Sequence, residues 1–227
     1  MRQFLLGGIV FSLVIFCPAA KAEKMVATTT KNKIKINLAV PFTSQAPLAK
    51  WSDDRFQAGC EEASVLMAMR FVRGQKSIAK NDAEKAIITL SEWQLKKYGS
   101  YYDTSIADTA VRLLAGFYGY KKYSIKNNIT KQDIINELKA DRIIIAPTDG
   151  RKLKNPFFTQ PGPEQHMLVI KGYDEAQDQF ITNDPGTRRG ADYRYKTDIL
   201  MGSLRDYPTG NHEKIKSIEK NIISISR

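Results

Sequence analysis

The chain has 227 residues and a formal net charge of +11. With 42% hydrophobic and 26% charged residues it sits near the averages for folded soluble domains, which excludes wholesale disorder and a membrane bundle. Two cysteines and two histidines exclude a disulfide-rich scaffold and a zinc-finger array.

Arg2 precedes an apolar run from Phe4 to Phe16. That run is too short for a bilayer span, which needs about 20 residues, and fits the apolar core of an export signal, about 7–15. Ala20 and Ala22 form an A-x-A site, so residues 1–22 read as a signal peptide cleaved after Ala22. The expected product is secreted, periplasmic or envelope-associated, with no membrane segment left. Cleavage takes Cys17 and leaves Cys60 as the one cysteine. Residues 23–37, rich in Lys and Thr, read as a flexible lead-in, and residues 38–227 as one domain.

Leu38 to Phe42 reads as a short strand, and Thr43 to Gly59, which has no regular period, as a structured loop. Ala63, Leu66, Met67 and Phe71 have helical spacing, so a helix runs from Glu61 to Arg73 and stops at Gly74, with Cys60 at its start. Asn81-x-x-Glu84, Ser105-x-x-Asp108 and Thr130-x-x-Asp133 each open a further helix; the first two end at Gly99 and Gly119. From Ile143 the pattern changes to strands: Ile143–Ala146, His166–Tyr173, Phe180–Asn183, Tyr193–Tyr195 and Ile222–Ile225. Helices first and strands after predict an α+β domain.

A cysteine at a helix N-terminus meets the positive end of the helix dipole, which favours a thiolate, whereas Glu61 and Glu62 oppose one. A second positive group is therefore needed. His212 lies in a turn-like segment, while His166 opens a buried strand that would hold its ring rigidly. The hairpin turning near residues 175–176 places residues 184–186 across from His166, so Asp184 is counted into reach of the ring; a register shift by one would bring Asn183 instead. Cys60, His166 and Asp184 thus outline a thiol nucleophile, its base and an orienting carboxylate.

Val40-Pro41-Phe42-x-x-Gln45, Gly59-Cys60-Glu61-Glu62-Ala63-Ser64, Gln165-His166-Met167-Leu168-Val169-Ile170-x-Gly172-Tyr173-Asp174 and Asn183-Asp184-Pro185-Gly186-Thr187 resemble the motifs of the bacterial peptidase family thirty-nine-like proteins. These are papain-like relatives of the peptidases that trim bacteriocin leaders. The resemblance implies a papain-like α+β fold with Cys60 as nucleophile, His166 as base and Asp184 as orienting residue. It also implies Gln45 as oxyanion-hole donor, with Gln57 as the alternative.

The expected activity is cleavage of a peptide or amide bond through a thioester. Transglutaminase-like acyl transfer with the same three residues, or a secreted peptide-binding module on this scaffold, are the alternatives. No cofactor or metal is expected, since one Cys and two separated His do not make a three-ligand site. The lysines are dispersed rather than grouped with stacking aromatics, so the expected partner is an envelope-associated peptide or protein substrate and not nucleic acid.

Overall fold

A computed structural model describes residues 33–227; the expected signal peptide and the first part of the expected lead-in lie outside the described residues. Chain order is β1 (Lys35–Asn37), α1 (Asp54–Gln57), α2 (Cys60–Val72), α3 (Lys80–Tyr98), α4 (Ile106–Asp108), a π-helical run Thr109–Phe117, β2 (Tyr123–Lys126), α5 (Lys131–Lys139), β3 (Ile143–Thr148), α6 (Gly150–Leu153), β4 (His166–Asp174), β5 (Gln179–Asn183), β6 (Tyr193–Lys196), α7 (Thr197–Ser203) and β7 (Ile222–Ile225). All strand pairings are antiparallel, in the order β2-β7-β3-β4-β5-β6. This is the α+β architecture expected.

The sheet separates two apolar cores. Met167 and Val169 of β4, Ile143 and Ile145 of β3 and Ile223 and Ile225 of β7 pack against α2 and the π-helical run. The alternate residues Leu168, Ile170, Ile144, Ala146 and Ile222 face α5, α6 and α7. β4 is buried along its whole length, so its sequence is a continuous apolar run rather than an alternation. Helix α2 is enclosed as well, by the sheet on one side and by α3 on the other, where Leu66 packs with Ile87. Leu66, Met67 and Phe71 are all at most 2% exposed, and burial of each contributes about 1.5–3 kcal/mol.

The predicted helix starts vary in how they are built. Thr130 and Asp133 form a reciprocal capping box, and Ser105 Oγ accepts from the Asp108 N–H at 3.2 Å. Asn81 lies inside α3, whose N-terminal flank is Ala79 without a side-chain cap. Gly99 and Gly119 end their helices with φ of 78° and 64°, in the left-handed region that glycine adopts without strain.

Two expectations near the start are corrected. Lys35–Asn37, expected within a flexible lead-in, forms a strand that pairs with Asp174–Gly172 of β4. Leu38–Phe42 is not a strand: Pro41 has no N–H to offer a ladder, and the carbonyls of Val40 and Pro41 accept instead from Asn183 Nδ2. β1 approaches Gly172 so closely that a Cβ there would run into the Ile36 carbonyl. Gly172→Ala is therefore expected to expel β1 and cost about 1–3 kcal/mol, read as a lower denaturant midpoint with fast hydrogen exchange at Ile36 and Asn37.

Candidate active site

The end of β5 and the start of β4 bring Asp184 to His166, with Asp184 Oδ1 2.8 Å from the ring Nε2. The last ladder pair is Val169 with Asn183, so Asp184 is the first residue free to turn back toward the ring. Its backbone N–H bonds to the Gly190 carbonyl at 2.9 Å, which fixes the turn. Oδ1 also accepts the Gly186 N–H at 3.0 Å, while Oδ2 accepts Tyr195 Oη at 2.5 Å and Asn155 Nδ2 at 3.4 Å. Burial pushes this carboxyl up, but the His166 charge and these hydrogen bonds outweigh it and hold it below the usual carboxylate range.

The ring of His166 is fixed on its other edges too. Phe158 packs edge-on, with centroids 5.3 Å apart, and a side chain at Gly186 would put its Cβ 2.9 Å from the ring Cε1. Because the carboxylate accepts from Nε2–H, Nδ1 is the nitrogen left to accept a proton. Asn183, the alternative to Asp184, turns away: its Nδ2 holds Val40 and Pro41, and its Oδ1 accepts the Asp192 N–H.

Cys60 is the first residue of α2, after Gly59, where a Cβ would lie 2.7 Å from the Arg55 carbonyl. The thiol lies beside the backbone N–H of Met167, the residue after His166, and Ser64 Oγ donates to the Met167 carbonyl at 3.3 Å. Cys60 Sγ donates to Glu61 Oε2 at 3.1 Å; among the described residues it makes no hydrogen bond to the His166 ring. Burial pushes the thiol well up, the Glu61 charge and hydrogen bond add to this, and Asp103 adds a little more. The electrostatics of this conformation therefore hold a neutral thiol, despite the helix dipole.

Gln45 joins the same region. Its backbone N–H bonds to the Pro185 carbonyl at 2.9 Å, and its Nε2 donates to the carbonyls of Phe56 (2.8 Å) and Gln57 (2.9 Å), just ahead of Cys60. Both amide hydrogens are thus in use, and Oε1 is buried without a partner. Gln57 Nε2 instead donates to the Trp51 carbonyl at 2.5 Å. His212 is exposed, as its turn context suggested, yet its Nδ1 lies 3.2 Å from both Asp103 Oδ2 and Gln165 Oε1.

The profile of the Peptidase C39 like family matches residues 37–214, more than three-quarters of the chain. The chain belongs to the Peptidase C39 like family. It is similar in fold to a provisionally assigned C39-like peptidase from Bacillus anthracis, at 16% identity and a TM-score of 0.51, over 86% of this chain and 98% of that one. No curated protein matches it. Family and fold make this a cysteine peptidase-like hydrolase of papain-like architecture.

Several residues around this C39-like centre escaped sequence reasoning. Tyr195 and Asn155, which hold Asp184, lie 11 and 29 residues from it on other segments, and no local pattern links them. Tyr207 Oη donates to Glu61 Oε1 at 2.7 Å, and the Thr104 N–H donates to the same oxygen at 3.2 Å. Burial and the nearby Asp103 push the Glu61 carboxyl up to about 7, against the hydrogen bonds from Tyr207 and Cys60. Glu62 is pushed well up by burial and then by the Glu61 charge, although Gln94 Nε2 donates to it at 2.7 Å.

That buried pair gives folding a pH dependence. A carboxyl whose folded pKa is raised stabilises the fold below its ordinary pKa of 4.5, and that contribution is lost as pH rises through the folded value. For Glu61 the loss is complete above pH 7 and amounts to about 3 kcal/mol. Glu62→Gln removes one buried acid and supplies a donor for the unpartnered Gln94 Oε1. This variant is expected to gain about 1–2 kcal/mol at pH 8 and little at pH 5, compared as urea midpoints at the two pH values.

Proposed function

We propose that this protein is an exported cysteine peptidase or amidase that cleaves a peptide or amide bond through Cys60, His166 and Asp184. The observation that carries the reading is the buried His166–Asp184 pair, with every lone-pair direction of Asp184 engaged and Cys60 seated beside the next backbone unit. A carboxylate so fixed holds the ring in one tautomer and stabilises the imidazolium formed when the thiol is deprotonated. Export rests on the Phe4–Phe16 run and the Ala20-x-Ala22 site.

In this mechanism His166 Nδ1 takes the Cys60 proton and the thiolate attacks the substrate carbonyl carbon. A C–S bond forms, and the carbonyl π electrons move to oxygen. The oxyanion faces the Cys60 N–H at the start of α2, and Gln45 donates to it once one Nε2–H leaves the carbonyl of Phe56 or Gln57. Collapse expels the amine with a proton from His166. Water then gives its proton to His166 and attacks the thioester, releasing a carboxylic product and the thiolate.

The flank of the site offers room for a peptide. A cavity of about 530 Å³ is bordered by Gln165, the residue before His166, and by Arg205, His212, Glu213 and Lys216. Cys60 itself is 5% exposed, so the covering chain must shift for substrate to reach the sulfur. A non-catalytic peptide-binding module is the second reading, favoured by the thiol's engagement with Glu61 rather than with His166.

A peptide library analysed by mass spectrometry, with and without a primary amine, tests both. Cleaved products that disappear with Cys60→Ala support hydrolysis, and amine-capped products support transfer. Peptides bound but uncleaved support the binding module.

A further inference from the structure

We propose that Glu61 is a positioning residue that holds the Cys60 thiol in the resting protein and hands it to His166 when its own carboxyl takes a proton. Neighbouring residues on a helix do not ordinarily face each other, yet here the Glu61 side chain curls back so that Oε2 lies 3.1 Å from Sγ. The opposite oxygen is already pinned by Tyr207 Oη and the Thr104 N–H. Oε2 is thus the one edge left, and it is spent on the nucleophile. Glu61 is 1% exposed, so no water competes freely for that edge.

An ionised carboxylate only accepts hydrogen bonds. While charged, Glu61 takes the thiol hydrogen and repels a thiolate. Once protonated it carries an O–H that donates to the thiolate instead, so the same contact changes from brake to support. The proton balance closes: Glu61 gains one proton from solvent, and the Cys60 proton moves to His166 Nδ1, leaving the net charge of the Cys60–His166 pair unchanged.

The groups facing this carboxyl set where the change falls. Cys60 and Glu62 adjoin it on α2, with Gln94 of α3 behind Glu62. Tyr207 comes from the segment after α7, and Asp103, itself bonded to His212, from the segment before α4. From β4 comes the Met167 N–H, which lies beside the Cys60 thiol. Burial and Asp103 raise the carboxyl, while the Tyr207 bond lowers it, and the balance near 7 puts the change in the neutral range. Acidification below that point frees the thiol, and a rise above it returns the thiol to Glu61.

This inference rests on Cys60 being the nucleophile, but its test reads the thiol without substrate. Second-order alkylation of the intact protein by iodoacetamide is followed by mass from pH 5 to 9. An ordinary thiol loses about tenfold in rate per pH unit below its pKa. Wild type is expected to alkylate faster at pH 6 than at pH 8, the reverse of that behaviour. Glu61→Gln should lose the reversal and react at least tenfold faster than wild type at pH 8. Tyr207→Phe keeps the carboxyl but loses a bond that favours its charge, so its reversal should persist with a midpoint at higher pH. If Glu61→Gln does not fold, the Tyr207→Phe midpoint carries the test alone. A wild-type rate that climbs steadily with pH, or a Tyr207→Phe midpoint that stays in place, overturns the proposal. An intact reversal with no peptide cleavage counts against the peptidase reading and leaves the role of Glu61 standing.

Discussion

Replacing Cys60 with alanine is expected to lower peptide or amide hydrolysis by about 10⁴-fold or more while leaving the fold intact. The size follows from the division of labour in the site. Among the described residues His166 has no other thiol to activate, and the residual rate would come from binding and oxyanion donors alone. The substitution itself is mild. Cys60 is 5% exposed within the apolar core and its side-chain hydrogen bond goes to Glu61, so alanine leaves a small void and an unopposed carboxyl edge. Turnover of the cleaved library peptide and thermal melting, measured side by side, separate the two effects. Loss of rate with an unchanged melting point is the expected result; undiminished turnover would remove Cys60 from the chemistry. Cys60→Ser adds a check, since a hydroxyl restores the contact to Glu61 but not thiolate reactivity.

The second large effect belongs to Asp184, and here stability and activity part company. Asp184→Ala leaves the His166 Nε2–H, Tyr195 Oη, Asn155 Nδ2 and the Gly186 N–H facing a buried void, at a cost of about 3–5 kcal/mol. Asp184→Asn keeps the shape, but one oxygen becomes an amide donor, and imidazolium is no longer stabilised by charge. Its expected signature is a fall of about 10²–10⁴ in turnover with a smaller loss of stability. Urea midpoints and turnover for both variants check this. A further consequence concerns acid. Because the folded carboxyl is held below its ordinary 3.8, its contribution to stability is present above that value and is lost only as pH falls through the lowered one. The wild-type acid limb should therefore flatten in Asp184→Asn.

The framework of this fold was readable because it obeys local rules. The Thr130–Asp133 box, the Gly99 and Gly119 stops and the β4–β5 hairpin each follow from residues a few positions apart. Hairpin counting reached the His166–Asp184 pairing because the turn and register are themselves local. The parts that were not legible depend on distance in sequence. β1 is a polar Lys-Ile-Asn stretch with no strand pattern, and it exists because its backbone completes the side of β4 beyond β3. The run after Ser105 has the start and stop of a helix, but its widening to π spacing has no signature in composition. The Glu61 carboxyl was legible as opposition to a thiolate; its grip on the thiol depends on Tyr207, 146 residues away.

The pairing of Lys35–Asn37 with the far end of β4 has a practical meaning for attachment. Eight residue steps along β4 lead from His166 to Asp174, the partner of Lys35, which at about 3.3 Å per step is roughly 26 Å. A fusion partner or surface tether joined ahead of residue 33 therefore meets the molecule at the end of the sheet away from the imidazole. Immobilising the protein through that terminus should leave the reactive end turned outward, toward whatever lies in front of it.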